Sequence, residues 1–229
     1  MGWQGRALLP AINLSLRRGR FVAVIGRNGS GKTTWFKTLL GEVQPVSGRL
    51  VREKELEHIA YVPQTSAFDS LLPLNARDVV LQGRLHCNNF LKPFTSHADK
   101  EACAHALEQA GASELGDQAF RELSKGQRQR VMFARMLATQ AELALLDEPT
   151  AAMDIAAENE AMTRLASLAR ENDIAIVCIS HALRIAEEHA DDILLFDRSN
   201  EEVVFGERNE VLKSAAYDRL LRGDKVDAQ

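Results

Sequence analysis

The chain is poor in cysteine, has no long apolar run and carries no surplus of positive charge, and each shortage excludes a class of protein. Its three cysteines among 229 residues, Cys87, Cys103 and Cys178, are scattered without a Cys-x-x-Cys pair. Neither a disulfide framework nor a structural metal staple is expected, and inert thiols in a reducing cytosol fit the pattern. No apolar run approaches the ~20 residues of a membrane span. The N-terminus lacks the charged-then-apolar layout of a signal peptide, so any membrane role is expected to run through a partner. With 28 Lys+Arg against 32 Asp+Glu, the net charge of −4 provides no global basic field for nucleic acid. Arg17, Arg18 and Arg20 around Gly19 form a local basic cluster and read as a solvated turn. Low-complexity tracts and internal repeats are also missing. What remains is a 45% hydrophobic chain able to bury one substantial core.

The most informative stretch is Gly26-Arg27-Asn28-Gly29-Ser30-Gly31-Lys32-Thr33, after the apolar run 21–25 and before the helix-compatible run 34–40. This is a phosphate-binding loop. Glycines let backbone N–H groups converge on phosphate oxygens, and a helix N-terminus adds a favourable dipole. Lys32 has the reach for β- and γ-phosphates, and the Thr33 hydroxyl suits Mg²⁺.

Apolar, often β-branched runs recur at residues 21–25, 59–62, 143–146, 174–179 and 193–196, with helical stretches between them. Continuous hydrophobicity predicts strands buried on both faces, and alternation with helices predicts an α/β fold around a largely parallel sheet. Residues 198–201 are expected to form a short hairpin turn at a sheet edge. Residues 66–138 carry mostly helical signals, including an amphipathic helix over 98–110 that stops at Gly111 and another over 126–138 with Val131, Ala134, Leu137 and Ala138 facing a core. The expected division is a catalytic core of residues 1–65 and 139–206, an inserted helical subdomain of 66–138, and a peripheral helical tail of 207–229.

A phosphate loop alone does not choose among nucleotide hydrolases. The run 143–146 ends in Asp147-Glu148, which places Asp147 at a strand tip near Thr33 and Mg²⁺. Glu148 points elsewhere and is suited to take a proton from an attacking water.

Between these motifs stands Leu123-Ser124-Lys125-Gly126-Gln127-Arg128-Gln129-Arg130, which resembles the signature motif of ATP-binding-cassette (ABC) ATPases. The family's other motifs follow in order: Tyr61-Val62-Pro63-Gln64 resembles the Q-loop, Ala151-Ala152-Met153-Asp154 the D-loop, and Ile179-Ser180-His181 the switch histidine. The resemblance implies a P-loop NTPase (RecA-like) core with an inserted α-helical subdomain. It also implies ATP and Mg²⁺ as ligands. Asn28, Gly29, Ser30, Gly31, Lys32, Thr33 and Thr34 would cradle phosphates, and Thr33, Gln64 and Asp147 would hold Mg²⁺. Glu148, His181 and Lys32 would be catalytic, while Ser124, Gly126, Gln127 and Asp154 would contact nucleotide. Histidines 58, 86, 97, 105 and 189 show no metal-ligand pattern.

Two departures from the family stand out. Lys125 occupies a position usually held by Gly, and it either strengthens nucleotide capture or points to solvent. The N-terminal strand usual in the family has almost no sequence here, and Trp3 falls where the adenine-stacking aromatic belongs.

The resemblance further implies a head-to-tail pair of cassettes, here a homodimer, and a transmembrane permease on a separate chain, with this chain peripheral on the cytoplasmic face of the inner membrane. Residues 70–84 and 91–95 resemble metal-ion and metal-chelate importers, the zinc and manganese branch in particular. Siderophore, haem or cobalamin import is the nearest alternative, and a soluble cassette in iron–sulfur cluster assembly is a membrane-free one. No nucleic-acid partner is expected.

Overall fold

A computed structural model describes residues 2–3, 6–7, 10–51, 59–63, 74–85, 95–151 and 153–227. Near the start, β1 (Gly2–Trp3) and β2 (Arg6–Ala7) form a small antiparallel ladder separate from the main sheet. Among the described residues the main sheet has six strands: β3 (Phe21–Gly26), β4 (Ile59–Val62), β5 (Leu143–Asp147), β6 (Ala175–Ile179), β7 (Asp192–Asp197) and β8 (Glu202–Glu207). Their spatial order is β4-β5-β6-β3-β7-β8; the first five are parallel, and β8 returns antiparallel to β7 through the expected turn.

The side chains of β3 alternate between two apolar layers, as strand geometry requires. Phe21, Ala23 and Ile25 join Leu146, Ile176, Cys178 and Leu195 on one face. Val22 and Val24 join Leu145, Val177, Ile179 and Leu194 on the other. Every residue of β3, β5 and β6 is buried, which is why their sequences read as unbroken apolar runs. Helix α1 (Lys32–Leu40) covers the second face with Trp35, Phe36 and Leu39, and the Trp35 ring sits 6.1 Å from that of Phe196.

Between β4 and β5 come α2 (Ala76–Leu81), α3 (His97–Gln109) and α4 (Lys125–Ala138). Each starts at a reciprocal capping box: Asn75 with Asp78, Ser96 with Asp99, and Ser124 with Gln127. Val131, Ala134, Leu137 and Ala138 of α4 are buried, and Gly111 follows α3 in the left-handed region at φ 64°. After α2, a turn presses Gly83 so close to α4 that a Cβ there would lie 2.4 Å from the Arg135 carbonyl oxygen. Arg84 then caps the end of α4, donating to Ala138 O at 3.1 Å.

Beyond β5 lie α5 (Ile155–Glu171), α6 (Leu183–His189), α7 (Arg208–Val211) and α8 (Ala215–Asp227). In the tail, Val211, Ala216, Tyr217 and Leu220 are buried against the main core, with α7 turning the chain back onto the sheet. The arginine turn before β3 is also more than a solvated loop. Arg18 pairs with Glu142 and Asp173, and Arg20 forms a two-pronged pair with Asp192, both contacts at 2.6 Å. These pairs tie the start of β3 to its neighbours.

Because Gly83 has no room for a methyl group, Gly83→Ala is expected to destabilise the chain by about 1–3 kcal/mol. Urea unfolding should show a lower midpoint with an unchanged slope.

Candidate functional site

Strand β3 ends at Gly26, whose φ of 147° and whose spacing forbid a side chain: a Cβ would lie 2.6 Å from the Phe196 carbonyl oxygen. The chain then turns through Asn28 and Gly29 (φ 72°) to Gly31 (φ 102°), which precedes α1 without a side-chain cap. Within the loop Ser30 N donates to Arg27 O at 3.1 Å, and Trp35 N to Gly31 O at 2.9 Å starts the helical ladder. The N–H groups of Lys32, Thr33 and Thr34 therefore precede that ladder, as helix N-termini require. Thr33 is exposed and Thr34 half-buried. Ser30 is buried and its hydroxyl has no partner, an orphaned polar atom in a cradle suited to an anion.

Lys32 is only 5% exposed. Its Nζ donates to Gly26 O at 2.6 Å and Arg27 O at 3.1 Å. Burial lowers its pKa, while Glu148 and Asp147 oppose that shift.

The sheet register brings three strand tips together. Val24 is level with Ile179, and Ile179 with Asp147, so the loop after β3 faces the ends of β5 and β6. Asp147 is buried, and its carboxyl is pushed above the ordinary range first by desolvation and then by Glu148; Lys32, His181 and Lys37 hold it down. Glu148 extends the ladder by one bond, donating from its N–H to Ile179 O at 3.1 Å, and then enters the left-handed region at φ 49°. Glu148 Oε1 meets His181 Nε2 at 2.5 Å, in a hydrogen bond that is partly exposed.

The structure thus gathers Lys32, Asp147, Glu148 and His181 at one place. The signature residues line a different cleft. Ser124 Oγ accepts from Gln127 N at 3.2 Å, and Gln127 Oε1 accepts from Ser124 N at 2.8 Å, so this pair caps α4. Lys125 is exposed, and Gly126 has open space where a side chain would be. Ser124, Gly126 and Gln127 line a cleft with Met153 and Ala157, and no phosphate-loop residue lines it. Asp154 caps α5 by accepting from Ala157 N at 2.9 Å. Gln64, Ala152, most of residues 70–73 and 91–95, and the Trp3 side chain lie outside the described residues. One contact was not foreseen: Arg198 Nη1 donates to Gly29 O at 2.7 Å. No local pattern signals it, because the two residues meet only through the sheet.

A phosphate loop leaving the middle of a largely parallel sheet, with an acidic pair at the tip of β5 one strand removed, defines a P-loop nucleotide hydrolase. The ABC transporter family profile matches residues 9–151, and the chain belongs to that family as one of its ATPases. The chain is 37% identical to the chelated iron transport system membrane protein YfeB of Yersinia pestis, covering 85% of this chain and 68% of that one. It is 35% identical to the molybdate import ATP-binding protein MolC of Haemophilus influenzae, covering 93% and 81%. It is 36% identical to the manganese transport system ATP-binding protein MntB of Bacillus subtilis, covering 85% and 79%. Among solved structures, an inward-facing metal-chelate type ABC transporter superposes with a TM-score of 0.81 at 33% identity, covering 92% of this chain and 81% of that one.

Asp147 holds its proton more tightly in the folded chain than in the unfolded one. Its contribution to stability therefore falls as pH rises from the ordinary carboxylate range through the raised folded pKa, and it stays unfavourable at neutral pH. Asp147→Asn is expected to raise the Tm of nucleotide-free protein at neutral pH, and the gain should vanish in acid, below the ordinary carboxylate pKa. Thermal melts across pH check this.

Proposed function

We propose that this chain is the ATP-hydrolysing subunit of a membrane importer for transition-metal ions, zinc or manganese. Convergence of Lys32, Asp147, Glu148 and His181 on the phosphate loop carries the hydrolytic part of the reading. Asn28 to Thr34 bind the triphosphate through backbone N–H groups, and Lys32 exchanges its two carbonyl acceptors for phosphate oxygens. The hydroxyl of Thr33 and the carboxylate of Asp147, together with Gln64, are hard oxygen donors of the kind Mg²⁺ takes. When bound there, Mg²⁺ supplies charge neutralisation at the β- and γ-phosphates. Glu148 leaves its bond to His181 to polarise the attacking water, and His181 turns to orient the γ-phosphate.

The signature residues Ser124, Gly126 and Gln127 line a different cleft of the same chain. This separation supports a head-to-tail homodimer in which each cassette completes the other's site, with Asp154 close to the junction. Loss of the γ-phosphate opens the pair, and the helical segment passes the motion to a permease on the cytoplasmic face.

The metal cargo is supported by the names of two relatives, which concern iron chelate and manganese, and by the metal-chelate type structure. The molybdate relative favours an oxyanion as the second reading. Growth of a deletion strain under chelation separates them: rescue by zinc or manganese supports the proposal, and rescue by molybdate alone replaces it.

Glu148→Gln is expected to lower ATP turnover by roughly 10²- to 10⁴-fold. It should leave ATP binding intact and trap a dimer. Light scattering of the variant with ATP and Mg²⁺ checks this, and monomer at saturating ATP, with the permease present, would count against the composite site.

A further inference from the structure

A phosphate loop has to keep its N–H groups converging and its carbonyls turned away from the anion. Three of these carbonyls accept from residues close in sequence: Gly26 O and Arg27 O from Lys32, and Gly31 O from Trp35 N. Gly29 is different, because its carbonyl is held from a distant part of the chain. Arg198 Nη1 reaches it at 2.7 Å from the turn Arg198–Asn200, which joins β7 to β8. Gly29 also sits at φ 72°, and a Cβ placed there would lie 3.6 Å from the same guanidinium nitrogen. The adjoining N–H, that of Ser30, bonds to Arg27 O. Rotation of the Gly29–Ser30 peptide would break both contacts and present a carbonyl dipole to a phosphate. Glycine's freedom makes such a rotation sterically inexpensive, so the orientation needs an external restraint.

The turn that carries Arg198 is itself braced. Asp197 accepts from Asn200 Nδ2 at 2.8 Å and from Arg219 Nε of α8 at 2.9 Å, and Arg219 also pairs with Glu202. The guanidinium is therefore delivered from a fixed base, and its bond to the carbonyl is charge-assisted.

We propose that Arg198 is a positioning residue of the phosphate loop, whose guanidinium holds the Gly29–Ser30 peptide in the orientation that receives a nucleoside triphosphate. The inference rests on residues 26–33 being the triphosphate site, and is independent of the transported cargo.

The test is calorimetric titration of ATP into the purified full chain and its variants, with Tm measured without nucleotide. Arg198→Ala is expected to weaken ATP binding roughly tenfold, the scale of one hydrogen bond to a charged group. Arg198→Lys should restore most of the affinity, since a single donor is needed. Ser199→Ala, in the same turn, should bind as the wild type does. Wild-type affinity in Arg198→Ala would overturn the proposal. So would a loss that Lys does not restore and that comes with a lower Tm, because that pattern marks general disruption of the turn. Lys32→Ala separates the premise from the inference. If Lys32→Ala binds ATP normally, the triphosphate site is elsewhere; if it loses ATP while Arg198→Ala keeps it, only the role of Arg198 fails.

Discussion

A lysine residue that is only 5% exposed is the constraint from which the rest of the site follows. Removing such a charge from water costs several kcal/mol unless close partners replace the solvent. Two carbonyls of the phosphate loop do part of this, at 2.6 and 3.1 Å, and they are within reach only because Gly26 and Gly31 let the backbone fold around the side chain. Asp147 and Glu148 do the rest through the field. The relation is mutual: burial pushes the Asp147 carboxyl up, and Lys32 is the first of the charges that pull it back. Cation and carboxylates are thus each tolerable because the other is there, and the parallel register of β3, β6 and β5 keeps them together.

The phosphate loop, the buried strands and the acidic pair were legible in the sequence because each is local: a glycine spacing, an unbroken apolar run, two carboxylates at its end. Two of the helices were legible for the same reason, and α3 and α4 begin within a residue of where their patterns do. The strand order was not legible, since nothing near Phe21 and Val22 says that they will pair with Ile176 and Asp192, more than a hundred residues on. The packing of the tail was not legible for a related reason. Its charged residues dominate the local reading, yet Tyr217 and Leu220 are spaced to enter the core once Val211 turns the chain back.

Within the site the same division holds. Lys32, Asp147, Glu148 and His181 each sit in a recognisable motif, but the hydrogen bond between Glu148 and His181 depends on the φ of 49° at Glu148, which no residue pattern announces. Ser124, Gln127 and Asp154 show a second role that sequence reading passed over. All three act as helix caps, so residues expected at a nucleotide also fix where α4 and α5 begin. Capping stabilises these helix starts by about 1 kcal/mol each, which gives such positions a structural duty whatever they later touch.

Strand β8 has a consequence for the company this chain keeps. A sheet edge offers unpaired backbone groups to any other strand, and exposed edges invite aggregation. Here the edge strand carries an exposed glutamate at each end, Glu202 and Glu207, and Arg219 lies across its start. Charge at both ends discourages one molecule from adding its sheet to another's. Crowded copies are thereby steered away from fibre-like stacking and left free to meet through other surfaces.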